Sequence, residues 1–399
     1  MEKATFAPTL VEPRTPLSSI VSKLVLGGAA FSTQLHPDPT SLPVRDIIKH
    51  ALKLGFRTFD TSPYYGPSEW LLGDAFSHPD VASNYSRSEI ILMTKVGRIA
   101  ALEFDYSPNW IRHSVNRSLD RFKTSYLDVV FCHDIEYVTD VDAVTAVGVL
   151  FELVDQGKIR YVGVSGYSIE KLVRVANLVR LQYGRPLDAV QNWAQLTLQN
   201  TRLESEGLEA LRDAGVDCIF NSSPLCIGLL RSGGVPVGSL GDFHPAPKGL
   251  REAALQASRW VESRGDNLAS LALRFAISRL SLASPRPPGA STIFGGGSIW
   301  EIDANMGAAE MILGTSNETR ETRGEAHKDV RDFEIVRQSR LEADEELVFG
   351  VRSIFGRWLD FGFTSPDAGW DIMAKAMIVQ DEGKQQIIQR NEVHLEPKL

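Results

Sequence analysis

Residues 126–133 read YLDVVFCH, and residues 89–95 read EIILMTK. Both are short apolar runs rich in β-branched residues, with no strict polar alternation, as in a parallel strand covered on both faces. Each leads into a stretch of helical spacing. Trp110–Phe122 carries Ile111, Val115, Ser118, Leu119 and Phe122 on one face, and Val141–Val154 is amphipathic and stops at Gly157. Outward from this centre the same alternation continues. Upstream lie a strand-like Lys23–Gly28, a helical Val44–Leu54, a strand-like Phe56–Asp60 and a helical Glu69–Phe76. Downstream come strand-like Ile159–Ser165, Asp188–Asn192, Val216–Asn221 and Ser291–Phe294. Helical patterns at Ile169–Leu181, Leu203–Ala214, Leu250–Arg264, Leu268–Leu280 and Ile299–Leu313 separate or follow them.

Strand-then-helix units, repeating about every 30 residues, predict a parallel sheet with helices outside it. Eight such units favour a closed (β/α)8 barrel over an open doubly wound sheet. No G-x-G-x-x-G follows the first strand, which weighs against a Rossmann fold. The barrel is expected to occupy residues 1–314. From Thr315 to Glu342, 13 of 28 residues are charged, which reads as a solvated linker or insertion. Leu347, Val348, Val351, Ile354, Phe355 and Trp358 then restore helical spacing. Residues 343–399 are therefore expected to form an extension with one docking helix, and Trp370–Leu399 shows no pattern.

The bulk composition narrows the function classes. The chain has 399 residues and a net charge of −8, with no Lys/Arg cluster. It is thus a poor candidate for binding nucleic acid or an anionic membrane. The three cysteines, Cys132, Cys218 and Cys226, fit neither a zinc motif nor a disulfide framework. No metal site is expected. The polar N-terminus lacks the apolar core of a secretory signal, and no run is long enough to span a bilayer, so a cytoplasmic location is expected.

In such a barrel, function gathers at the C-terminal ends of the strands. Asp60 ends the second strand, Lys95 the third and His133 the fourth, and Tyr65 lies five residues beyond Asp60. Singly, each has a bland explanation as a surface charge, a hydrogen-bonded core histidine or a turn. Together they make chemical sense. A tyrosine with its ordinary pKa of about 10 is a poor proton shuttle near neutrality. A buried ammonium beside it is expected to favour the phenolate, and Asp60 makes that ammonium tolerable. His133 is placed to orient a reacting oxygen.

The stretch Asp60-Thr61-Ser62-Pro63-Tyr64-Tyr65-Gly66-Pro67-Ser68-Glu69 resembles the signature of the aldo-keto reductases, and the likeness extends over about residues 20–314. It implies a catalytic tetrad of Asp60, Tyr65, Lys95 and His133, and a free nicotinamide cofactor bound without metal. It also implies that Ser165 and Gln191 hold the carboxamide, with Gly166 standing where relatives carry Asn. Ser222, Leu225 and Gly228 correspond to a segment that often brings a stacking Tyr, replaced here by Ser222. The run Phe294-Gly295-Gly296-Gly297-Ser298 with Asn305 resembles the loop and helix start that take the adenosine phosphates. NADPH-preferring relatives carry Lys and Arg where this chain has Gly295 and Glu301. A carboxylate there repels a 2′-phosphate and suits a 2′-hydroxyl, so NAD is expected over NADP.

Within the family, His133-Asp134-Ile135-Glu136-Tyr137, Phe104-Asp105-Tyr106-Ser107 and Ser223-Pro224-Leu225 resemble the dehydrogenases of D-arabinose and L-galactose. The resemblance implies oxidation of an aldose at C1 to the lactone, with Tyr64, Asp134 and Trp193 as candidate contacts to the sugar. A small-molecule sugar is the expected partner, with a monomer or weak homo-oligomer as the assembly. Two alternatives stay open. One is an NADPH-dependent aldehyde or ketone reductase, or a pyridoxal dehydrogenase, on the same scaffold. The other is a cofactor-binding regulatory subunit.

Overall fold

The computed structural model describes residues 14–236, 244–282, 289–314 and 330–363, and their side chains except those of 282 and 330–336. Eight parallel strands close into a barrel in simple sequence order. They are β1 (Leu24–Gly27), β2 (Thr58–Asp60), β3 (Ile91–Val96), β4 (Leu127–Cys132), β5 (Ile159–Gly166), β6 (Ala189–Trp193), β7 (Cys218–Ser222) and β8 (Gly289–Gly295). β8 returns to β1 with Val25 opposite Ile293. All eight predicted strands are present, which is the (β/α)8 architecture expected from the alternation.

β3 and β4 are buried along their whole length. One set of their side chains, with Met93, Val129 and Phe131, fills the barrel interior alongside Tyr161, Phe220 and Ile293. The other set, with Leu92, Val130 and Cys132, packs under the surrounding helices. A strand covered on both faces has no reason to alternate in polarity, and this is why its sequence is mostly apolar, with buried Asp128 in β4 accepting from Arg87 and from Leu92 N. The helices start where side chains can satisfy their first free N–H groups. Ser107 Oγ accepts from Trp110 N at 3.3 Å, with Pro108 in the first turn. Thr139 and Asp142 form a reciprocal capping box. Below the barrel, Leu17 in the turn Leu17–Ser19 is fully buried against the interior cluster, a plug that the polar N-terminus did not suggest.

The helix expected over Leu203–Ala214 is split into a wider π turn, Leu203–Gly207, and an α-helix, Leu208–Asp213. A larger difference lies beyond the barrel. The docking helix runs Val330–Phe355, so the latter part of the stretch read as a linker is helical. Two of its charged residues, Arg340 and Asp344, are paired. Arg274, on the helix Leu268–Leu282, is only 1% exposed and donates to Asp344 at 2.7 and 2.8 Å and to Asp266 at 2.8 Å. Arg340 joins the same two carboxylates. The apolar face predicted for this helix is buried at Leu347, Val351 and Phe355. Gly350 allows the close approach, because a Cβ there would lie 2.0 Å from the Trp260 ring. Residues 315–329, Trp370–Leu399 and most of the N-terminal segment lie outside the described residues.

The chain then turns back over the C-terminal mouth of the barrel. Asp360 N donates to Gln199 O at 2.8 Å, and Gln199 Nε2 donates to Trp358 O at 2.6 Å. Phe363 is buried among Tyr167, Trp193 and His244, and its N–H donates to the Tyr167 hydroxyl at 2.8 Å.

Candidate active site

Asp60 is the last residue of β2, Lys95 lies one residue from the end of β3, and His133 directly follows β4. Adjacent parallel strands in register bring these three to the same mouth. Lys95 Nζ donates to both oxygens of Asp60, at 2.7 and 2.9 Å, and to Thr61 O at 3.0 Å. Both side chains are almost completely buried. The Tyr65 ring lies 5.4 Å from the ammonium and meets the His133 ring edge-on, with centroids 6.0 Å apart. All four residues singled out at the strand ends thus share one pocket floor.

The electrostatics differ from the expectation in one respect. Lys95 is committed to Asp60 and Thr61, and burial together with the Asp60 charge pushes the Tyr65 phenol well above its usual range. Tyr65 in the free protein is therefore a protonated phenol, not a ready phenolate. The cation offsets its own carboxylate first, because it touches that group and not the phenol. Burial also raises the Asp60 carboxyl, opposed by the charge and hydrogen bonds of Lys95 and by a hydrogen bond from Gln191.

His133 is neutral. Burial, with Lys95 and Arg98 nearby, lowers it to about 3 against the pull of Asp134. Ser62 Oγ is 3.1 Å from His133 Nδ1 and accepts the Tyr64 N–H at 3.1 Å. When Ser62 donates its proton to Nδ1, the ring carries its own N–H on Nε2, 3.5 Å from Asp134 Oδ2. Tyr106 donates its hydroxyl to the His133 carbonyl, holding the backbone from below.

Of the substrate candidates, Tyr64 and Asp134 are not free. Arg98 pairs with Asp134 and lies over the Tyr64 ring at 4.1 Å, with Phe104 and Tyr137 also around it. Arg98 was not singled out from the sequence, although its position three residues past Lys95 in the loop after β3 was a usable signal. Trp193 ends β6 and packs on Tyr167 and Phe363. Glu69, within the signature stretch, is fully buried. It accepts from Thr94 and Ser118 at 2.7 Å and from Arg121 at 2.9 Å, which is a structural role.

The residues expected to hold a cofactor line the next sector of the mouth. Ser165 and Gln191 are register partners across β5 and β6. Gln191 Oε1 is buried with no hydrogen-bond partner among the described residues, an acceptor awaiting a donor. Ser222 Oγ donates to Asn192 O at 3.1 Å, so no aromatic ring stands there. Leu225 and Gly228 sit in a turn in which Ser223, Cys226 and Ile227 all take left-handed backbone angles. Such backbone is costly for a β-branched residue and is concentrated at functional loops. After β8, Ser298 caps the helix Ile299–Leu313 through Glu301 N. Glu301 Oε2 folds back to accept Gly297 N at 2.7 Å, and Asn305 Nδ2 donates to Gly295 O at 3.2 Å. These polar groups fit a dinucleotide with an amide at one end and an anionic middle. No group of His, Cys, Asp and Glu able to hold a metal occurs among the described residues, and none of their helices is long and apolar enough to cross a membrane.

A (β/α)8 barrel with this constellation at its C-terminal mouth defines an oxidoreductase of the nicotinamide-dependent kind. Residues 23–321 match the model of the aldo/keto reductase family, and the chain belongs to that family. It is 41% identical over 260 residues to D-arabinose 1-dehydrogenase of Saccharomyces cerevisiae, covering 65% of this chain and 76% of that protein. It is 31% identical over 277 residues to L-galactose dehydrogenase of Arabidopsis thaliana, covering 68% and 80%. Identity to L-glyceraldehyde 3-phosphate reductase of Escherichia coli is 29% over 261 residues, covering 58% and 71%.

Proposed function

We propose that this protein oxidises an aldose, of the D-arabinose or L-galactose kind, at C1 to the lactone, with NAD as hydride acceptor. The observation that carries the reading is the buried Lys95–Asp60 pair set beside Tyr65 and His133 at the barrel mouth. The similarity to two sugar dehydrogenases supports the substrate class.

His133 Nε2–H orients the C1 oxygen, and the phenolate form of Tyr65, a small fraction at neutral pH, takes the hydroxyl proton as the C1 hydrogen leaves with its electron pair. Bound NAD supplies the acceptor for that hydride. Ser165 and Gln191 would hold its carboxamide, and Ser222, Leu225 and Gly228 with the loop Gly295–Gly297 and Asn305 would line the rest of the dinucleotide path. Lys95 and Asp60 act by position and charge on the phenol. Tyr64 and Asp134, fixed by Arg98, and Trp193 bound the sugar pocket.

Because the phenol is raised above its ordinary pKa of about 10, the phenolate fraction grows about tenfold per pH unit through the neutral and mildly alkaline range. Oxidation needs the phenolate, so kcat/KM for the sugar at saturating NAD is expected to climb with pH between about 6 and 9. His133, held near about 3, adds no inflection there. A flat profile across that range overturns this assignment of Tyr65. The same protonated phenol suits donation to a carbonyl, which keeps carbonyl reduction as the second reading.

The NAD preference rests on Glu301. Its carboxylate occupies the Gly297 N–H and sets a negative charge at the helix start, where a 2′-phosphate is repelled. Glu301→Arg is expected to shift the NADP/NAD ratio of kcat/KM upward by at least about tenfold, or ~1.4 kcal/mol. An unchanged ratio removes the argument. The test of the whole proposal is NADH formation followed at 340 nm with D-arabinose, L-galactose, L-fucose and pyridoxal. Turnover of a sugar with NAD supports the proposal. Turnover of pyridoxal alone, or none from protein that binds NAD, defeats it.

A further inference from the structure

Gly166 closes β5, where the family resemblance implies an Asn, and the space beside it is filled. A Cβ built on Gly166 would lie 2.2 Å from Glu136 Oε2 and 3.2 Å from Glu136 Cδ. Glu136 belongs to the short turn Ile135–Tyr137 after β4, which is launched inward by the left-handed backbone of Asp134 at φ 57°. The side chain is 8% exposed. Its Oε1 accepts the Tyr167 N–H at 2.7 Å, whereas Oε2 is buried with no partner among the described residues. Buried polar atoms in native proteins are almost always paired, so an orphan beside the end of β5 is an acceptor or donor open to a ligand. Gln191 Oε1, one strand further on, is orphaned in the same way.

We propose that Glu136 binds the carboxamide of the nicotinamide, doing from the loop after β4 what a side chain on residue 166 would do from the end of β5. The inference rests on the dinucleotide reading above. The chemistry of the donors and acceptors agrees. Burial, reinforced by the charge of Asp134, pushes the Glu136 carboxyl up to about 8, so at neutral pH it is mostly the neutral acid. A neutral carboxylic acid offers an O–H donor and a carbonyl acceptor, so like the amide of Asn, which has two N–H donors, it can both donate and accept. With Oε1 taken by Tyr167, the acid proton on Oε2 is free for the carboxamide oxygen, and Gln191 Oε1 is free for the carboxamide N–H. The Glu136 carboxyl as placed here and a side chain at residue 166 claim the same space, so a side chain there must push the carboxyl aside.

The experiment measures the dissociation constants of NADH and of ADP-ribose, which lacks the nicotinamide, for the full chain and four variants. Glu136→Ala is expected to weaken NADH by about tenfold, at the upper end of one hydrogen bond's net worth. ADP-ribose binding should be unchanged, which also reports an intact fold. Glu136→Gln keeps a donor and an acceptor and should stay within about threefold of the parent. Gly166→Asn alone should weaken NADH, because the new side chain displaces the Glu136 carboxyl. The double variant Glu136→Ala/Gly166→Asn should recover NADH binding to within about threefold of the parent. If Gly166→Asn does not fold, the comparison of Glu136→Ala with Glu136→Gln decides alone. NADH binding to Glu136→Ala as tightly as to the parent, or an equal loss of NADH and ADP-ribose, overturns the proposal. A parent chain that binds neither ligand overturns the dinucleotide reading beneath it.

Discussion

Tyr65→Phe is expected to lower kcat by about 10³-fold or more, within the 10²–10⁴ range that a positioned proton-transfer group contributes. The argument is local. The hydroxyl is the only group lost, and among the described residues it makes no hydrogen bond that would be orphaned by its removal. The ring remains to pack edge-on against His133 and beside Lys95. Stability and NADH affinity should therefore stay near the parent values while turnover collapses. That separation identifies Tyr65 with the proton step and not with binding or folding. Retained turnover with either a sugar or a carbonyl substrate removes Tyr65 from the mechanism. A drop in NADH affinity of the same size as the drop in kcat makes its role one of binding.

Lys95→Met is expected to cost about 3–5 kcal/mol of stability, the penalty for stranding one partner of a buried ion pair. Met matches the length of the lysine stem, so the loss is electrostatic more than steric. Asp60 is 3% exposed and its two short contacts to the ammonium disappear. Burial then acts on the carboxyl with only the Gln191 hydrogen bond to oppose it. The folded-state pKa of Asp60 rises further above its unfolded value. A raised acid is folded at no penalty below the unfolded pKa of about 3.9, and stability is lost as pH rises toward the folded pKa. The deficit of Lys95→Met should thus be small near pH 4 and largest at neutral pH and above. Adding Asp60→Leu should return much of the stability, because the stranded charge is gone. Chemical denaturation of the single and double variants across pH measures both effects. A deficit that does not change with pH, or a double variant no more stable than the single, means that packing and not charge was lost.

The barrel, its eight strands in order and the meeting of Asp60, Tyr65, Lys95 and His133 were all legible from one sequence. The reason is that they depend on local pattern. Apolar runs such as 89–95 and 126–133 declare doubly covered strands, and parallel connectivity puts the end of every strand on one face. The apolar face of Leu347, Val351 and Phe355 was equally readable, because a helix repeats its contacts every turn. The segment from Val330 to Glu342 read as a linker because nothing local marks a charge such as Arg340 as one that serves a partner far away in sequence. Arg340 meets Asp266, and Arg274 meets Asp344, and no local rule separates such a charge from a solvated one.

Tertiary structure alone decided three further things. It committed Lys95 to Asp60 and left Tyr65 a protonated phenol, because a Coulombic effect depends on which groups touch and not on which are near in sequence. It wrapped Arg98 in Tyr64, Phe104 and Tyr137 against Asp134. It also laid the carboxyl of Glu136 over Gly166. The glycine read as a departure from the family pattern, and the glutamate was quoted only as part of a distinctive run. That each explains the other is a property of two chain segments 30 residues apart, joined by the pairing of β4 with β5. Sequence determined which groups reach the mouth of this barrel, and packing determined what each of them faces there.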